Sequence, residues 1–444
     1  MENKNTFEKS LNLIKNKKQF YFLFFLSLIG VFVELLSVAI VIPVVVFLIE
    51  QDPIEKFQIL KPIFNYLSIS NKNEIISFSL FAIVIVYFFR FLFLIYLHYY
   101  KNLFSYNLSL NVKRDLIDKY LSQRYSYFFN DNSSRLIKNV IVEVSQFTGG
   151  AINSIFYIFI DLFVISTVLI SLIFLEPVIS FIIAIFLCFV GLILNSFSKG
   201  RVLKWGKLRF DLDQTVMKSL LEIFNSIREI KVFNKKDFFV DNFIKKYSPL
   251  GYLSVKQQTF YAVIKQSYEM VTLFAFCILV FYLSSQNYSN QEILTTIGIF
   301  AIAAFRLLPL FSRLLLGVQD LKFYLPSVNH LYEEFNELNK NIRLIGNLNQ
   351  SKNLNIKDSI DIKNISYSYD KDKKILDNIS LKINKNDKIG IFGKSGSGKS
   401  TFVDIVFGLI SPNNGSIYID DKKLDLENDI FNYKLGYVSQ SSYL

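Results

Sequence analysis

The stretch Lys388–Ile410, KIGIFGKSGSGKSTFVDIVFGLI, decides how this chain is read. Within it Gly393, Lys394, Ser395, Gly396, Ser397, Gly398, Lys399 and Ser400 spell G-x-x-x-x-G-K-S, with Thr401 next. The apolar pattern predicts a buried strand over KIGIFG, a glycine loop, and an amphipathic helix from Ser400 to Leu409. That strand–loop–helix order is the context in which the motif signals a phosphate-binding loop. Glycines let consecutive backbone N–H groups converge on phosphate oxygens, and the helix N-terminus adds the positive end of its dipole. In such a loop Lys399 contacts the β- and γ-phosphates, Ser400 ligates Mg²⁺, and Thr401 helps hold the α-phosphate.

Upstream of the loop the chemistry is different. Of the 444 residues, 52% are hydrophobic and only 19% charged, a shift from the soluble average toward a membrane protein. The apolar residues cluster in runs long enough to cross a bilayer, which takes about 20 residues. These runs are Phe20–Ile49, Ile75–Leu97, Ile152–Leu175, Val178–Phe197 and Ile293–Val318. A sixth, Met270–Leu283, is too short alone and must continue upstream through FYAVIKQSYE, which carries Lys265 and Glu269. Those polar groups are expected to face a protein-lined, wet cavity. Cys188 and Cys277 each lie inside an apolar run, which supports neither a disulfide framework nor a thiolate metal site. The two histidines, His98 and His330, are too far apart in sequence to suggest a metal cluster.

The net charge of +12 is better explained by membrane topology than by nucleic acid, because the basic residues concentrate in connections beside the apolar runs. The segments before Phe20, from His98 to Gly150 and from Lys199 to Gln266 are rich in Lys and Arg. The connections Glu176–Pro177 and Ser284–Glu292 hold none. Both termini are therefore expected in the cytoplasm, in a multi-pass cytoplasmic (inner) membrane protein with no cleavable signal peptide. Stretches such as SLNVKRDLIDKYLSQRYSYFF keep helical spacing, so the spans should continue as helices into the cytoplasm and turn back there. Ile54–Leu67 is expected to form a short amphipathic helix on the outer face, although Pro62 limits its regularity.

A soluble domain is expected from residue 359, with strands over IDIKNISYSY and ILDNISLKI. SGSGKST, the aromatic Tyr369 upstream of it and LGYVSQ downstream together resemble the nucleotide-binding domain of an ABC transporter. The resemblance implies ATP and Mg²⁺ as ligands, Tyr369 stacking on adenine, and Gln440 contacting Mg²⁺ alongside Ser400. Six spans with long cytoplasmic extensions ahead of such a domain resemble the ABC exporter half-transporter. That implies a six-span α-helical membrane domain over 1–330, a linker over 331–358, and part of an α/β P-loop domain over 359–444. It also implies that the turns near Tyr125–Asp131 and Ile227–Phe233 are coupling helices, and that the partner is a second half-transporter, expected to form a homodimer. In the family an LSGGQ-type signature, a Walker B Asp-Glu pair and a switch histidine follow the glutamine. None of them lies in this sequence, so the chain is expected to be C-terminally truncated and unable to hydrolyse ATP as given.

Arg90 lies inside the run Ile75–Leu97, and Arg306 and Arg313 share one side of the run Ile293–Val318. Arginines at bilayer depth usually line a wet cavity, and with Lys265 they suggest an anionic substrate, since guanidinium groups grip phosphate bidentately. An alternative is that Arg90 pairs with Glu34. The arrangement FRLLPLFSRLL, with the arginine in YFFRFLF, resembles bacterial flippases of lipid-linked oligosaccharides, which implies an anionic lipid-linked substrate. An exporter of lipid A-like lipids, peptides or drugs, or a non-transporting ATP-binding remnant, are the competing expectations.

Overall fold

The computed structural model describes residues 8–14, 17–41, 43–44, 72–130, 132–175, 177–285, 290–345, 357–369, 374–424 and 436–438. The expected outer helix Ile54–Leu67, residues 346–356 of the expected linker and Gln440 lie outside them, while residues 331–345 of that linker are the helical end of the last long helix. The chain divides into two compact units. One is Met1–Arg114 with Ile137–Glu333, and the other is Asp115–Leu136 with Glu334–Leu444.

Among the described residues six helices are long and apolar enough to cross a membrane: α1 (Lys17–Ala39), α2 (Lys72–Leu121), α5 (Asn153–Leu175), α6 (Pro177–Asn225), α8 (Lys236–Ser285) and α9 (Asn290–Ile345). α2, α6 and α8 hold 50, 49 and 50 residues, or about 75 Å at 1.5 Å per residue. That exceeds the roughly 30 Å of a hydrocarbon core, so each continues well past a membrane. Pro177 opens α6 at the position where its missing N–H costs nothing. The short sixth run is part of continuous α8, as its apolar pattern required.

In the first unit apolar clusters hold α9 in place. Val31, Val164, Val168, Ala303 and Leu307 join it to α1 and α5. Leu187, Ile264, Tyr268 and Leu315 join it to α6 and α8. Lipid tails are as apolar as these side chains, so the clusters stabilise through close packing rather than release of water. At Gly206 a Cβ would lie 2.3 Å from the carbonyl oxygen of Phe323, so only glycine lets α6 approach α9 this closely.

Between α4 (Ser133–Lys138) and α5 the helix widens into two π-helical stretches, Asn139–Glu143 and Gln146–Ile152. Glu143, wholly buried, faces Lys138 across 3.4 Å and Arg209 across 3.9 Å. Arg209 also donates to Ser327 Oγ at 2.6 Å. Burial pushes the Asp213 carboxyl up to about 6, against the opposing pull of Arg209. Buried charges persist only when paired in this way.

The second unit holds a four-stranded antiparallel sheet in the order β2-β1-β3-β4, from β1 (Ser359–Ser368), β2 (Lys374–Asn384), β3 (Asn414–Ile419) and β4 (Lys422–Lys423). Ile360 pairs with Ile383 on one side and Ile419 on the other. An irregularity in β1 between Ile362 and Ile365, with Asn364 at φ 55°, turns both side chains into a core shared with Phe402 and Ile405 of α10 (Lys399–Val406). The expected turns near Tyr125–Asp131 and Ile227–Phe233 contain short helices, α3 (Tyr127–Asn130) and α7 (Ile227–Val232). Within the second unit the Glu334 carboxylate accepts from Tyr120 Oη and Arg135 Nη1, both at 2.8 Å.

One expectation is corrected here. KIGIFG is not a buried strand: Ile389 and Ile391 are exposed and Phe392 is 94% exposed. A strand of this kind is held by ladder hydrogen bonds from neighbours, and no described residues supply one. Helix α10 also ends at Val406, short of Leu409.

Candidate functional site

The phosphate loop is built by conformation before chemistry. Gly396 and Gly398 sit at φ 78° and 89°, in the left-handed region that L side chains rarely adopt. A Cβ on Gly398 would also lie 2.8 Å from Ile375 Cγ2. The turn delivers Gly398 to the N-cap of α10, where its carbonyl accepts from Phe402 N at 2.8 Å. Lys399 Nζ donates to the carbonyl oxygens of Gly393 and Lys394, each at 2.8 Å. The ammonium thus spans the mouth of the loop, where a phosphate could replace these carbonyls. The N–H groups of the first helical turn lack intrahelical partners and point the same way.

Tyr369, directly after β1, is half-exposed. Its hydroxyl lies 3.4 Å from Thr401 Oγ1. Its ring stands edge-to-face with Tyr367 at 5.0 Å and with Phe129 of α3 at 5.6 Å. An aromatic platform therefore sits beside the start of α10. Ser395, Ser397 and Ser400 lie in the loop and first turn, whereas Gln440 is outside the described residues.

The first unit contains a cavity of about 190 Å³ among α1, α2, α5 and α9. Arg90, Arg306 and Arg313 line it together. Glu34 receives Arg90 through Nε and Nη2, both at 3.2 Å, and it also pairs with Arg306. Arg313 is held by Asp161, whose side chain is fully buried. The pairing of Arg90 with Glu34, an alternative at the sequence level, is thus present, but it does not remove the arginine from the cavity. Lys265 is not among the lining residues. It lies on an exposed face of α8 and pairs with Glu269, one turn on, at 3.9 Å. Opposite charges four residues apart satisfy each other without a cavity.

Sequence reasoning missed Lys101 and His98, which also line the cavity. Lys101 is 5% exposed, and its Nζ lies 3.7 Å from the centre of the Tyr157 ring. The signal was present: positions 90, 94, 97 and 101 fall on one helical stripe of α2. Four permanent cations (Arg90, Lys101, Arg306, Arg313) thus meet two carboxylates, Glu34 and Asp161. Among the described residues no group of acidic, His or Cys side chains could hold a metal ion.

Long membrane-crossing helices in one unit and a phosphate loop on a helix N-terminus in the other define a nucleotide-binding membrane protein. The chain belongs to the ABC transporters: the ABC transporter transmembrane region family matches residues 20–307, and the ABC transporter family matches residues 376–444. The lacticin-481/lactococcin-DR transport/processing ATP-binding protein of Lactococcus lactis subsp. lactis is 27% identical over 309 residues, 68% of this chain and 42% of that protein. An ABC transporter ATP-binding protein of Vibrio vulnificus (strain CMCP6) is 38% identical over 84 residues, 18% of this chain and 14% of its own length. The chain thus spans less than half the length of these curated relatives. A solved bacterial Atm1-family ABC exporter with ATP bound superposes with a TM-score of 0.66 at 10% identity, covering 93% of this chain and 69% of that one. That likeness concerns the fold: a six-span exporter domain with an ATP-binding region.

Proposed function

We propose that this chain is one half of an ATP-driven exporter in the cytoplasmic membrane, both termini inside. Its substrate is an anionic amphiphile, with a lipid-linked oligosaccharide or related polysaccharide precursor as the best-fitting class. The observation that carries the reading is the cavity lined by four cations and the carboxylate of Glu34, with Asp161 buried behind Arg313. Leaving a surplus of positive charge at bilayer depth is costly unless an anion binds there. Apolar walls from Leu94, Leu97, Ile160, Val164 and Leu310 suit a hydrocarbon tail beside a charged headgroup. Peptide export is the second reading, favoured by the alignment with the lacticin-481 transport/processing protein over 68% of this chain.

We assign ATP and Mg²⁺ to the loop Gly393–Thr401, with Tyr369 beneath adenine and Gln440 as a second Mg²⁺ contact. We take 1–330 as the exporter domain, 331–358 as a linker and 359–444 as the ATP-binding part.

Photocrosslinking tests the substrate assignment. A polyprenyl pyrophosphate carrying a diazirine should label the purified protein within α2 or α9, and Arg306→Ala should cut labelling about tenfold, the loss of one charge-assisted contact. Equal labelling of the variant, or competition by a neutral polyprenol as strong as by the pyrophosphate, would overturn it.

A further inference from the structure

The arginines of the cavity already hold an anion, and it belongs to the chain. Glu34 takes Arg90 with both carboxylate oxygens at 3.2 Å and pairs with Arg306 as well. Its position is set by close packing: one turn earlier, a Cβ on Gly30 would come within 3.2 Å of Leu97 Cδ2, so α1 lies tight against α2 at this level. Asp161, in contrast, sits fully buried behind Arg313 and takes that side chain alone among the described residues.

One buried donor at the cavity remains unmet, and one cation is answered only loosely. Lys101 is almost wholly buried, has no carboxylate within ion-pair distance among the described residues, and faces the Tyr157 ring with Asp161 acting on it at longer range. Arg306 Nε is buried with no hydrogen-bond acceptor. Buried donors left without acceptors are rare in native proteins and call for a ligand.

We infer that Glu34 is a tethered competitor for the substrate headgroup, and that it sets the minimum charge a headgroup must carry. The inference rests on the anionic-substrate reading above. To reach Arg90 and Arg306 an incoming anion must displace the Glu34 carboxylate. A singly charged headgroup, such as a sulfate monoester, exchanges one negative charge for another and gains little. A phosphate monoester presents the same three terminal oxygens as a sulfate but about half to one further negative charge at neutral pH, and a pyrophosphate brings more of both. Either can satisfy Lys101 and Arg306 Nε in addition to replacing Glu34, through bonds strengthened by charge on both partners. Selection by a repulsive or competing group is a recognised route to specificity, and here the competitor is built into α1. Glu34 is therefore a specificity-determining residue rather than only a counter-ion that makes buried arginines tolerable.

The test is a charge series on a constant tail: geraniol, geranyl sulfate, geranyl phosphate and geranyl pyrophosphate, titrated calorimetrically into the purified chain with saturating ADP so that the phosphate loop is filled. The wild type should bind the phosphate at least about tenfold more tightly than the sulfate. Glu34→Gln should tighten the sulfate by about tenfold and the phosphate much less, narrowing the preference to about threefold or below. Glu34→Asp keeps the charge but shortens its reach, so it should fall between; it carries the test if the glutamine variant does not fold. A sulfate-to-phosphate preference unchanged in both variants would show Glu34 to be a structural counter-ion and overturn the inference alone. Geraniol binding as tightly as the anions in the wild type would instead remove the anionic-substrate reading, and this inference with it.

Discussion

Arg313 grips Asp161 with two nitrogens, Nε lying 2.7 Å from Oδ2, and the carboxylate it holds is fully buried. The pair is asymmetric, because Arg313 keeps 45% of its side chain exposed while Asp161 keeps none. Removing the arginine strands a buried charge, a loss usually worth about 3–5 kcal/mol. Exposure of the arginine side places the expected cost at the low end, about 3 kcal/mol. Arg313→Ala should therefore lower the thermal unfolding midpoint in detergent far more than Arg306→Ala, which leaves Glu34 still held by Arg90. Adding Asp161→Asn to Arg313→Ala should recover most of the loss. No recovery in the double variant would mean that Asp161 has another partner.

Gly398 and Gly396 both occupy the left-handed region, but their surroundings differ. An added methyl at Gly398 meets Ile375 Cγ2 at 2.8 Å, whereas one at Gly396 meets nothing within 4 Å. Gly396→Ala should cost only the backbone penalty, about 1–2 kcal/mol. Gly398→Ala should cost that plus the displacement of Ile375, about 1–3 kcal/mol more, and should weaken ATP binding because the loop enters α10 there. Equal unfolding midpoints for the two variants would contradict this ordering.

Asp420 accepts backbone N–H groups from Lys357, Asp358 and Ser359 at 2.8, 2.7 and 3.0 Å. These bonds hold its carboxyl below the usual carboxylate range. The folded state thus favours the charged form. Its contribution is complete above the unfolded value of about 3.9 and is lost as pH falls through the lower folded value. Asp420→Asn should flatten the acid loss of stability in the ATP-binding unit below about pH 4. A circular-dichroism unfolding series from neutral pH downward reads it, and parallel curves for wild type and variant would refute it.

Much of this architecture is visible in the sequence because a membrane imposes it. An apolar run such as Ile75–Leu97 has few alternatives to a spanning helix, and α2 is that helix. The phosphate loop is equally legible, since the φ values at Gly396 and Gly398 leave few other residues possible. KIGIFG was misread because its strand character depends on ladder partners that no local pattern encodes. The cavity was half-legible. Arg306 and Arg313 lie on one helix, so spacing places them together. Glu34 and Asp161 come from two other helices, and only packing shows that they answer Arg306 and Arg313. Lys265 drew attention by its charge, yet Glu269 on the next turn already answers it.

The central claim is that an anionic lipid headgroup passes through the cavity around Arg306. The direct measurement is ATP-dependent movement of a fluorescent lipid-linked oligosaccharide across vesicles carrying the transporter as assembled in its own membrane. Arg306→Ala should slow that movement by about tenfold or more, the loss of one charge-assisted contact, while leaving ATP binding at Lys399 unchanged. Arg306→Lys should rescue it only in part, because a point charge lacks the planar fork. Movement at the wild-type rate in Arg306→Ala would contradict the account and leave the arginines a structural role.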